Sequence, residues 1–155
     1  MQTLFAQSIA LLLLVIAVSF ILFLMIRHLQ VRRVMLPLEI QAYERLLLFV
    51  ERLKPEGLLM RTPSTADSKE HIRHALLTGI NIEWEHNLSQ QLYVDPVVWL
   101  ATSAARDEVI LLIQKAADDT SDSGSLFRQR LLNLAAQSGL PACNRALRNL
   151  HQKRP

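Results

Sequence analysis

Residues 3–26, TLFAQSIALLLLVIAVSFILFLMI, carry no charged side chain and only four hydroxyl or amide ones. As a helix, the run that opens at Thr3 and closes at Ile26 is about 36 Å long, enough to cross a hydrocarbon core of about 30 Å with some tilt. A core helix of a soluble domain shows a polar stripe, and this run has none. The sequence therefore predicts a transmembrane anchor in contact with the lipid bilayer. A cleaved signal peptide is the rival, but nothing basic precedes Thr3 and no small-x-small site follows; the run ends in Met25, Ile26 and Arg27. Arg27, Arg32 and Arg33 lie just past the span, and basic residues near a span stay on the cytoplasmic side. The expected topology is a single pass, with the N-terminus outside and the body cytoplasmic. Ala6, Ala10 and Ala17 share one helix face, which would admit a second helix closely; without glycine among them, ordinary span composition is the preferred reading.

The remaining 129 residues suffice for one small domain with a modest core. Cys143 is the lone cysteine, which permits no internal disulfide and suits a reducing compartment. With only four glycines, and with period-2 alternation hard to find, the body is expected to be all-α, a bundle of about five helices. Expected boundaries are an anchor and juxtamembrane helix at 1–35, a core helical domain at 36–118, a flexible loop at 119–125 and a basic helical segment at 126–155.

Pro37 predicts a break in the helix leaving the bilayer, with Leu36 as the joint, and a new helix over 38–53. Ala42, Tyr43, Leu46, Leu47, Phe49, Val50 and Leu53 form its apolar arc. Glu39 falls inside that arc, as a first-turn carboxylate favoured by the helix dipole. Residues 54–63, punctuated by Pro55, Gly57 and Pro63, read as a connector held to the domain by Leu58, Leu59 and Met60. Ser64 or Thr65 can cap a helix with Asp67 and Glu70 in its first turn and a stripe through Ile72, Leu76, Leu77, Ile80, Trp84 and Leu88. Asp95 with Pro96 is a cap and first-turn pair for a helix over 96–118. Trp99, Val109, Ile110, Ile113 and Ala117 are its expected buried side. Phe127, Leu131 and Leu134 line the next helix, Gly139 ends it, and Pro141 starts the last, through Ala142, Ala146, Leu147 and Leu150.

LPLEIQAYERLLLFVERLKPEGLLMR at 36–61, EWEHNLSQQLYV at 83–94 and ARDEVILLI at 105–113 together resemble a family of small uncharacterised membrane-anchored proteins of Bacteroidetes-type bacteria. The likeness covers residues 36–117. It implies placement in a bacterial inner membrane and carries no catalytic residues.

Polar groups on faces that should be apolar are the strongest site signal. Glu83, Asn87 and Gln91 climb beside Ile80 and Trp84, and Arg106 sits among Trp99, Ile110 and Ile113. A partly buried pair of Arg106 with Glu83, helped by Asn87, would either fix helix register or line a partner-facing groove. Glu83 and His86 form a Glu-x-x-His pair, but a carboxylate-bridged di-iron site needs a second such pair and two further Glu. Glu70, His71 and His74 share too short a stretch and lack zincin spacing. No Gly-x-Ser-x-Gly elbow or glycine-rich phosphate loop occurs, so no catalytic residue, metal ligand or cofactor is assigned.

Charge is segregated along the chain. Residues 34–125 net −6 and residues 126–155 net +6, the latter with no acid. Either the tail packs on the acidic middle, or it contacts anionic lipid. It does not interleave aromatics as single-strand nucleic-acid binders do, so no nucleic acid is expected. The expected function is a single-pass accessory or scaffold protein with an unidentified membrane-protein partner. The alternatives are a membrane-tethered enzyme or metal protein and an anionic-lipid-binding module; homo-oligomerisation stays open.

Overall fold

A computed structural model describes the backbone of residues 2–62 and 68–152. The described residues form six α-helices and one 3-10 turn, with no strand: α1 (Gln2–Arg52), α2 (Pro55–Arg61), α3 (Lys69–Asn87), the turn Leu88–Leu92, α4 (Pro96–Asp118), α5 (Gly124–Ser138) and α6 (Pro141–Gln152). The chain divides into two compact units, Met1–Leu38 and Glu39–Pro155.

The first unit is helix alone. α1 is long and apolar enough to cross a membrane, and none of its most apolar window is buried. Leu11, Phe20, Phe23 and Ile26 are all exposed. The expected break at Leu36 does not occur, because Pro37 lies inside α1. Proline removes one N–H and crowds the carbonyl four residues back, at a cost of about 3 kcal/mol in a helix interior; helix propagation is cooperative, and long helical stretches flank it on both sides. The dipole account of Glu39 lapses with the break, since Glu39 sits far from either helix end.

In the second unit the expected arc of α1 is largely buried, with Ala42, Leu46, Phe49, Val50 and Leu53 each at 2% exposure or less. The connector is a short helix, α2, with Pro55 at its start. Leu58 and Leu59 are buried as expected; Met60 points outward. The expected caps Ser64 and Thr65, with Asp67, lie outside the described residues. Ser68 caps α3, its Oγ accepting from the His71 N–H at 3.2 Å. α3 buries Ile72, Leu76 and Ile80 and half-buries Leu77 and Trp84, while Leu88, in the turn that follows, is exposed.

α4 is the central element and packs on α3, α5 and most extensively on α6. Asp95 caps it as expected, Oδ1 accepting from the Val97 N–H at 2.7 Å. Ala105 on α4 and Ala146 on α6 are fully buried and Cys143 nearly so, and such small side chains let two backbones approach closely. Thr102 is buried without penalty because its hydroxyl donates to the Val98 carbonyl at 2.9 Å. The turn after α4 is anchored: Lys69 Nζ donates to the carbonyls of Ala117 and Thr120, both at 2.9 Å. α5 starts at Gly124, two residues earlier than expected, capped by Ser123. Gly139 ends it in the left-handed region at φ 66°, and Leu140 follows at φ 46°.

Candidate functional site

Two features of the second unit stand out: the aromatic cluster where α1, α3 and α4 meet, and the outward face of α4.

Trp84 is the middle of the cluster. Its ring stacks on Trp99 with centroids 4.6 Å apart and meets Phe49 at 5.5 Å. The Arg106 guanidinium lies 4.5 Å from its centroid, a cation on the ring's electron-rich face. Of the six candidate site residues singled out in the sequence, the structure brings Arg106 and Trp99 against the Trp84 ring. Arg106 does not reach Glu83: its Nε and Nη2 donate to Asp107 Oδ1 at 2.9 and 2.7 Å. Glu83 instead faces Arg52 of α1 at 3.7 Å. Asn87 donates back to the Glu83 carbonyl at 2.7 Å, and Gln91 is exposed while its neighbour Gln90 is buried. The expected network is thus divided among different partners. A shallow cleft lined by Arg45, Leu48, Phe49, Arg52, Glu83, His86 and Asn87 lies against α1 and α3. Among the described residues no three His, Cys, Asp or Glu side chains come together as a metal ion would require.

Sequence reasoning missed Glu108. Its carboxylate accepts from the Ala142 and Cys143 N–H groups, each at 3.1 Å, so a side chain of α4 caps the first turn of α6, where a helix favours negative charge. Burial pushes the adjacent Cys143 thiol up to about 12, and the Glu108 carboxylate acts in the same direction. Only proximity across 34 residues creates this contact, so no local signal announces it.

The second missed feature is an apolar stripe on the outside of α4. Val97, Leu100 and Leu111 are 54%, 67% and 64% exposed, with Ala104 exposed between them. Two shallow apolar grooves along the α4–α6 seam share Ala104; one also takes in Leu100 and Arg145, the other Asp107 and Leu111. The basic tail is partly engaged inside the domain: Arg130 pairs with Asp119 at 2.6 Å and Arg128 donates to the Leu59 carbonyl at 3.3 Å.

The chain belongs to a family of unknown function, DUF7935, whose pattern matches residues 4–153. The match extends beyond residues 36–117 into the apolar N-terminal run and the basic tail. No match is found among curated proteins or solved structures.

Proposed function

We propose that the chain is a single-pass protein of a bacterial inner membrane, its N-terminus outside, whose cytoplasmic helical domain is an interaction module of accessory or scaffold type. The observation that carries the anchoring is the wholly uncovered apolar surface of α1 over residues 11–26, far more than a monomer leaves in water. Arg27, Arg32 and Arg33 supply the orientation. The exposed stripe on α4 supports the interaction role. Contact of the tail with anionic lipid is the second reading, and it rests on Arg145 and Arg148, exposed on α6.

A mild-detergent pull-down of the full chain from its own membranes, with bound proteins identified and metals counted in the same sample, tests this. Recovery from the membrane fraction with reproducible partners supports it; recovery from the soluble fraction sinks the anchor. A preparation without partners but with stoichiometric metal sinks the interaction role and directs attention to Glu83 and His86.

A further inference from the structure

We infer that α4 pairs with α4 of a second copy of this chain, antiparallel, about a two-fold axis between Ala104 and Asp107. This rests on the reading of the domain as a membrane-held interaction module and names its partner.

Val97, Leu100, Ala104, Asp107 and Leu111 recur at alternating spacings of three and four, the repeat of a helix-pairing seam. The inner side of α4 is already filled by its own domain, so the exposed stripe is a second apolar face. An antiparallel copy sets Leu100 against Leu111 of the second copy and, by symmetry, Leu111 against Leu100. At the axis the small Ala104 faces Asp107, which lets the helices approach.

Charge selects this arrangement. Asp107 Oδ1 takes both Arg106 bonds, and Oδ2 has no partner among the described residues. Arg145 is exposed with no acidic partner among them, and it lines the groove beside Leu100 and Ala104. Both groups are exposed and within reach of a second chain. The two-fold axis carries Asp107 of each copy to the Ala104 level of the other, beside Arg145. A parallel pair or a purely apolar partner would bring no carboxylate to Arg145.

Size sets the strength. From Val97 to Leu111 the stripe is about 21 Å long and one helix wide, so it covers only a few hundred Å2 against about 800 Å2 a side for a standard interface. Pairing is therefore weak in free solution and is favoured when both copies share one bilayer, which raises their effective concentration.

Disulfide cross-linking of full-length chains in phosphatidylcholine vesicles tests the register. Chains carrying Leu100→Cys and chains carrying Leu111→Cys, reconstituted together, should cross-link through the new thiols. Leu100→Cys alone should not, because its two copies would stand about 16 Å apart. In the mixed sample Arg145→Asp should lower the yield about fivefold, and adding Asp107→Arg should restore it. Absence of the mixed cross-link, equal cross-linking by Leu100→Cys alone, or indifference to Arg145→Asp overturns the pairing. Vesicle flotation of the same samples separates the two claims: a chain that floats without cross-linking is anchored but unpaired, and a chain that cross-links without floating is paired but not anchored.

Discussion

The Arg106 guanidinium sits 4.5 Å from the centroid of Trp84, while its N–H groups point to Asp107, the next residue along α4. One side chain thereby closes the half-exposed side of the aromatic cluster and keeps its charge in reach of a carboxylate. The contact is partly solvated, so its energy is modest. Arg106→Leu should cost about 0.5–1 kcal/mol, whereas Trp84→Ala, which leaves Phe49 and Trp99 without their shared neighbour, should cost about 3 kcal/mol. Urea denaturation of both variants checks the contrast; equal losses would point to a desolvated Arg106 that carries far more.

The Glu108 carboxylate accepts from the Ala142 and Cys143 N–H groups in the first turn of α6. Glu108→Ala should destabilise the domain by about 1–2 kcal/mol. Glu108→Gln keeps an acceptor and loses the charge, so it should cost less than the alanine variant. Hydrogen exchange at the Ala142 and Cys143 amides should accelerate in Glu108→Ala before global unfolding; unchanged protection there would contradict the cap.

Cys143 makes stability depend on alkaline pH. In the unfolded chain its thiol titrates at the ordinary value of 9.0, and in the fold it is pushed up to about 12. Unfolding between these values releases a proton, so stability holds below pH 9 and falls as pH rises toward 12, by at most about 1.4 kcal/mol per pH unit. Melting temperatures across pH 8 to 11 should show the fall, and Cys143→Ala should flatten this contribution. Iodoacetamide at pH 8 should modify the thiol only as fast as the fold opens.

Gly139 ends α5 at φ 66°, with open space where a Cβ would stand. Gly139→Ala therefore acts through backbone conformation and not through a clash. It should cost about 1 kcal/mol, read from the denaturation midpoint. A neutral result would mean that the α5–α6 junction relaxes to another turn.

Events local to one helix were legible in the residues: the Asp95 cap, the stop at Gly139, the buried stripes of α1, α3 and α5, and the apolar run at residues 3–26. Each depends on composition and periodicity within a few turns, which sequence displays directly. Partner choice was not legible. Glu83 faces Arg52 and Arg106 faces Trp84 because of where α1 and α4 lie against α3, and Glu108 reaches α6 across 34 residues. Pro37 shows the same limit from the other side, since a local rule for breaking a helix yielded to the helical stretches flanking it. Residue spacing therefore determined most of the helices, the Asp95 cap, the stop at Gly139 and the apolar N-terminal run. Tertiary packing decided which charges meet, which helix end is capped from afar and which face of α4 stays open, because those depend on distances that only the folded chain creates.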